Sequence, residues 1–276
     1  MDYVEVTYVV KPLQPYSEIL ISRLAEAGFD SFEETDTGFK AYVEGKSFSD
    51  NILQNIELFE DEENVEVSYS VKKIDNTNWN QVWESNFTPV LIDDCYIRAP
   101  FHEKKEGCKY ELLIEPKMSF GTGHHETTSL MVRWLLEIDF KGKKVLDMGC
   151  GTGVLAILAE KRGAIDVMAI DNYIYAYENT IENIERNNCK NIKAVLGDAT
   201  ALGDEEYDVV IANITKNILI EDMHAYDKVL KKDGFLLLSG FFADDKQQLL
   251  DRAKDFGLKY SGEKTEKEWM SLCLKK

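Results

Sequence analysis

Ten residues, Lys144 to Gly153, constrain this chain more than any others. They read KVLDMGCGTG, a short apolar strand that runs into an aspartate and three glycines at alternate positions, Gly149, Gly151 and Gly153. Only glycine lets a backbone turn sharply at a strand's end and lie close against a ligand. The apolar stretch Val154–Lys161 that follows is expected to be a helix whose N-terminus opens onto the loop. Strand, glycine turn and helix in this order form a nucleotide-type loop in an α/β sheet.

The overlapping stretch Gly151, Thr152, Gly153, Val154, Leu155, Ala156 also satisfies the loose dinucleotide fingerprint G-x-G-x-x-G/A. Asp147 tilts the balance. A carboxylate just before the glycines repels a pyrophosphate but suits the ammonium end of S-adenosylmethionine.

With 276 residues, 44% of them hydrophobic, the chain has material for one large and one small domain. No apolar run approaches the ~20 residues of a membrane helix, and MDYVEVTYVV lacks the basic start of a signal peptide, so a cytoplasmic protein is expected. Five scattered cysteines, Cys95, Cys108, Cys150, Cys189 and Cys273, include no C-x-x-C pair and are expected as thiols. No metal-ligand spacing or nucleophile elbow appears; His124 and His125 are adjacent and diverge rather than share an ion. A net charge of -18 argues against nucleic acid and for a basic partner, or serves solubility alone.

The first ~70 residues divide by periodicity into a strand Tyr3–Val9, a helix Tyr16–Ala27 stopped by Gly28, a hairpin of Phe29–Glu34 and Phe39–Val43, a helix Phe48–Phe59, and a strand Val65–Lys73. The order βαββαβ is ferredoxin-like, and residues 1–73 are assigned to such a module. Residues 74–276 form the second domain, opened by a polar helix that packs Trp79 and Trp83 on one face. Two strands, Thr88–Pro100 and Lys109–Glu115, lead to a helix begun by Thr127 or Thr128. Strands then alternate with helices: Val145–Met148, Val167–Ile170, Ile192–Leu196, Val209–Ala212 and Phe235–Leu238, with Leu258–Ser261 and Trp269–Leu274 as an antiparallel edge pair. This is the pattern of a doubly wound, Rossmann-like sheet.

In such a sheet the ligand lies beyond the carboxyl ends of the strands. Gly149 closes the first strand, with Gly151 giving the loop its close approach. Asp171 ends the second, placed for the two hydroxyls of a ribose or to cap a helix. Asp198 follows the third, suited to an exocyclic adenine amine or to a loop cap. Asn213 ends the fourth, where its carbonyl oxygen can hold an amine with the lone pair aimed at a methyl sulfonium. Ahead of them, MSFGTGHHETT, Met118 to Thr128, reads as a glycine-hinged flap over the ligand.

MSFGTGHHETT, VLDMGCGTGVLAI, DVVIANI and LLLSGFF together resemble the methyltransferases of large-subunit ribosomal protein eleven, over most of the chain. The resemblance implies an S-adenosylmethionine-dependent enzyme in which Thr128, Gly149, Asp171 and Asn213 contact the donor. It implies that the N-terminal module recognises the ribosomal protein substrate; lysine side-chain or N-terminal amines of that basic protein are the expected acceptors, and Asn213 is expected as the catalytic residue, orienting the amine rather than abstracting its proton. That family commonly carries threonine, histidine, proline where this chain has His124, His125, Glu126, so the shape of the flap is open. The absence of proline-proline-aromatic after Asn213 disfavours glutamine and adenine as acceptors. A monomer without sequence-specific nucleic acid binding or membrane attachment is expected. An NAD-dependent oxidoreductase and a noncatalytic donor-binding, ribosome-docking protein are the competing readings.

Overall fold

The computed structural model describes residues 3–49, 52–53, 56, 59, 64–74, 87–117 and 119–276. The chain divides into two compact units, 1–86 and 87–276. The sequence-based boundary at 73/74 differs by residues 74–86, of which 75–86, with Trp79 and Trp83, lie outside the described residues.

In the first unit, β1 (Tyr3–Lys11), α1 (Tyr16–Glu26), β2 (Ser31–Thr35), β3 (Gly38–Glu44) and β4 (Glu66–Ile74) build a sheet of order β2-β3-β1-β4. Every neighbouring pair is antiparallel, which is the strand order of a ferredoxin-like unit. Alternation explains the core: Val4, Val6, Tyr8 and Val10 of β1 face inward with Phe39, Ala41 and Val43 of β3, against Leu20 and Leu24 of α1. Gly38 is obligatory here because a Cβ would sit 2.0 Å from the Tyr8 carbonyl oxygen. Half of the expected helix Phe48–Phe59 falls outside the described residues; Ile52 and Leu53 are helical, whereas Phe48, Ser49 and Phe59, the last at φ 61°, are not.

The second unit opens with a three-stranded sheet, β5 (Val90–Ile92), β6 (Cys95–Arg98) and β7 (Tyr110–Leu113). The single strand expected over Thr88–Pro100 is a hairpin, turned where Asp93 adopts φ 48°, a left-handed conformation that aspartate tolerates. Then follow α2 (Glu126–Glu137), β8 (Lys144–Met148), α3 (Val154–Lys161), β9 (Asp166–Asp171), α4 (Ile174–Arg186), β10 (Ile192–Leu196), β11 (Tyr207–Asn213), α5 (Lys216–Val229), β12 (Leu230–Phe242), α6 (Lys246–Lys254), β13 (Lys259–Glu266) and β14 (Trp269–Lys275).

These strands form one sheet, β10-β9-β8-β11-β12-β14-β13, parallel from β10 to β12. The tail pair is antiparallel as expected, although β14 is inserted between β12 and β13 and only β13 is the edge. Strand parity sorts the two cores. Val145, Val167, Val209, Ile211 and Leu237 pack toward α3 and part of α2, whereas Leu146, Met148, Val210, Ala212 and Leu236 pack toward α5 and α6. The strand order reverses between β8 and β11, so the crevice for a ligand falls where Gly149 and Asn213 emerge.

Candidate functional site

All three loop glycines have positive φ, 68° at Gly149, 58° at Gly151 and 77° at Gly153. At Gly151 the reason is contact as well as conformation, since a Cβ there would sit 2.2 Å from the Phe120 carbonyl oxygen of the flap. Flap and glycine loop are in fact stitched together by Thr152, which is wholly buried. Its amide donates to Phe120 O at 2.9 Å, and its hydroxyl donates to Gly121 O at 2.6 Å. The flap is therefore a wall of the site, held by backbone pairing to the loop that follows β8.

Asp147 shares a strand face with Val145, and that parity aims it at the start of α3 rather than at the mouth of the crevice. Its Oδ2 accepts from the Ala156 amide at 3.1 Å, while Oδ1 is buried without a partner. Burial pushes its pKa up to about 7, opposed by the Ala156 hydrogen bond and assisted by the Asp171 charge. Half of the carboxylate that the sequence offered to a ligand is thus spent on capping a helix.

Asp171, half-buried at the end of β9, accepts from the Gly151 amide through Oδ2 and from the Tyr173 amide through Oδ1, both at 2.9 Å. It ties the glycine loop to the approach to α4, and each oxygen keeps a lone pair for a further donor. The Gly197 amide donates to Asp171 O at 2.9 Å, bringing the end of β10 alongside. Asp198 beside it is exposed, and its Oδ1 accepts from the Thr200 amide (2.9 Å) and hydroxyl (2.6 Å). Those bonds cap a short helical turn and hold its pKa below the usual carboxylate range.

Asn213 ends β11, and its Oδ1 is buried with no hydrogen-bond partner. The next residue, Ile214, packs so closely on the glycine loop that a Cβ on Gly149 would meet its Cγ2 at 2.2 Å. The structure thus sets Gly149 and Asn213 side by side. Thr128 lies in the first turn of α2, directly behind the flap; it is buried, and its Oγ1 also lacks a partner. The helix starts one residue earlier than expected, at Glu126, because His125 is its N-cap, with Nδ1 accepting from the Thr127 amide at 3.2 Å.

Two features escaped the sequence reading. One face of α4 carries buried asparagines four apart. Asn183 accepts from the Glu115 amide and donates to Thr152 O, both at 2.9 Å, while Asn187 accepts from Leu113 N (3.0 Å) and donates to Leu113 O (2.7 Å). These amides fasten the segment entering the flap to the glycine loop, and their spacing along the helix was the available signal. The second feature is a row of rings: Phe120 to His125 at 5.0 Å, His125 to Trp269 at 4.8 Å, and Trp269 to Phe242 at 4.3 Å. It joins the flap to the ends of β12 and β14 across a long sequence gap that periodicity does not bridge. Among the described residues no cluster of metal-ligating side chains occurs, and the five cysteines are free thiols.

Residues 20–276 match the family model of ribosomal protein L11 methyltransferase, PrmA. The chain belongs to the ribosomal protein L11 methyltransferase family. It is 40% identical to the ribosomal protein L11 methyltransferase of Phocaeicola vulgatus over 276 residues, covering 99% of this chain and 98% of that one. To that of Porphyromonas gingivalis it is 43% identical over 266 residues, covering 94% and 91%. The crystal structure of ribosomal protein L11 methylase from Lactobacillus delbrueckii subsp. bulgaricus superposes with a TM-score of 0.64 at 23% identity, over 68% of this chain and 98% of that one, a likeness of fold. The cofactor of this L11 methyltransferase family member is S-adenosylmethionine, and the dinucleotide reading of the glycine loop falls away. The residues fit that group. Two buried oxygens without a partner, Thr128 Oγ1 behind the flap and Asn213 Oδ1 beside the glycine loop, can take a ligand's donors, and each carboxylate oxygen of Asp171 keeps a lone pair.

Proposed function

We propose that the chain transfers methyl groups to amines of large-subunit ribosomal protein L11, to lysine side chains, the N-terminal amine, or both. The single observation that supports this most is the unpartnered Oδ1 of Asn213 at the switch point of the sheet. A buried acceptor without a donor costs about 1–3 kcal/mol, a cost repaid when an amine N–H reaches it. S-adenosylmethionine supplies an electrophilic methyl on a sulfonium. Asn213 orients the acceptor nitrogen, so that its lone pair faces that methyl; Thr128 and Gly149 border the donor, and Gly151 keeps the loop close against the flap, its Cα facing Phe120 O and its amide committed to Asp171. The remaining lone pairs of Asp171 suit ribose hydroxyls, and Asp198, whose described bonds use Oδ1 alone, keeps Oδ2 for an adenine amine.

The acceptor must be neutral to attack. At pH 7 that costs about 4.6 kcal/mol for a lysine of pKa ~10.4 but only about 1 kcal/mol for an α-amine near ~7.8. Proximity and alignment carry most of the acceleration, which favours an orienting amide over a dedicated base. The N-terminal unit, residues 1–73 with its connection, serves as the recognition arm. The charge of -18 favours a basic protein partner over nucleic acid, and the enzyme acts as a cytoplasmic monomer. Incubation of the protein with isotopically labelled donor and purified L11, followed by peptide mass spectrometry, tests the reading. Methyl groups on amine nitrogens are expected.

A further inference from the structure

Because Phe120 and Gly121 pair with Thr152, the position of the flap decides how the first turn of α2 faces the glycine loop. Two side chains, His124 and Glu126, hold the flap from outside. His124 Nε2 lies 2.8 Å from the Thr88 carbonyl oxygen. A carbonyl only accepts, so Nε2 carries the proton and Nδ1 of the neutral ring accepts from the Thr122 hydroxyl at 3.1 Å. A protonated ring would donate to that hydroxyl instead, leaving the bond to Thr88 intact.

Residue 88 is no passive anchor. The Phe87 ring packs 4.5 Å from His124 and stacks on His102, whose Nδ1 accepts from the Ala99 amide and whose Nε2 therefore donates to Phe87 O. Both carbonyls at the start of the second unit are thereby taken by imidazoles. On the other side, the Lys267 ammonium in the β13–β14 turn pairs with Glu126, whose side chain is 18% exposed. That hydrogen bond holds the Glu126 carboxyl below its usual range and raises the lysine.

We propose that His124 and Glu126 are positioning residues that moor the flap to the start of the second unit, at Thr88, and to the β13–β14 turn, and so set how long the donor is retained. This rests on the flap being a wall of the donor site.

The probe is S-adenosylhomocysteine, with its dissociation rate measured from wild type, His124→Thr, Glu126→Gln, Lys267→Met and the double variant Glu126→Gln/Lys267→Met. A threonine side chain is too short to reach Thr88 O. Each single variant is expected to release the ligand about threefold faster. The double variant should be no faster than the worse of its two singles, as residues acting through one contact behave. In the free protein, amides of residues 119–128 should exchange with solvent faster in the variants, while the thermal midpoint stays within about 3 °C of wild type. Wild-type release rates and wild-type flap exchange in the single variants would overturn the proposal, as would effects of Glu126→Gln and Lys267→Met that simply add. Failure of the wild-type protein to bind S-adenosylhomocysteine would instead defeat the donor assignment itself.

Discussion

At the scale of single residues, the proposed site is marked by buried oxygens without hydrogen-bond partners that lie beside the glycine loop and the flap. Asn213 Oδ1 is the clearest, because it ends a central strand at the switch point and lies next to the glycine loop. Asn213→Ala is expected to lower kcat about a hundredfold while changing the Kd for S-adenosylhomocysteine by less than about threefold. Wild-type turnover at saturating donor would remove Asn213 from its role. Asp147 makes a separate prediction. Burial raises its pKa from an ordinary carboxylate value to about 7, so the folded state binds a proton that the unfolded chain has released. Its contribution to stability is complete below the unfolded value near ~4 and is lost as pH rises through about 7. Denaturant titrations at pH 5 and pH 8 should therefore show the free wild-type protein losing stability over that interval, and Asp147→Asn losing less. The residues at the strand ends were readable in the sequence because strand, glycine turn and helix are contiguous there. What Asp147 does was not, since only the parity of β8 directs its side chain at α3.

At the scale of elements, the flap, the glycine loop and α4 behave as one assembly. Thr152 joins the first two, and Asn183 joins them to the segment that enters the flap. Asn183→Ala leaves Thr152 O and the Glu115 amide unpaired in a buried site, which predicts a loss of about 3 kcal/mol in denaturant unfolding. Gly151→Ala forces a side chain into positive φ and against Phe120 O, and should both destabilise the protein by about 2 kcal/mol and abolish tight donor binding. Most elements of the second unit are legible from periodicity, because its parallel strands are short apolar runs bounded by turn residues. The hairpin within 88–100 was hidden because its turn uses two aspartates and no glycine. The insertion of β14 beside β12 is likewise a tertiary choice that local pattern does not record.

At the scale of the whole molecule, a nucleotide-type sheet is joined to a small antiparallel unit in a strongly acidic chain. Family membership makes the chain a methyltransferase of the L11 family, and the proposed attraction of a basic protein substrate rests on its net charge of -18. Long-range attraction is screened by salt, so the KM for L11 should rise several-fold between 50 mM and 500 mM salt while the Kd for S-adenosylhomocysteine changes little. A salt-independent KM would leave the acid surplus to solubility alone. The most direct test of the central claim is mass spectrometry of L11 after incubation with the protein and labelled S-adenosylmethionine. Label is expected on lysine side-chain nitrogens, the N-terminal nitrogen, or both, and is expected to be lost with Asn213→Ala. Unmodified L11, or label on oxygen or on amide nitrogen, would contradict that claim.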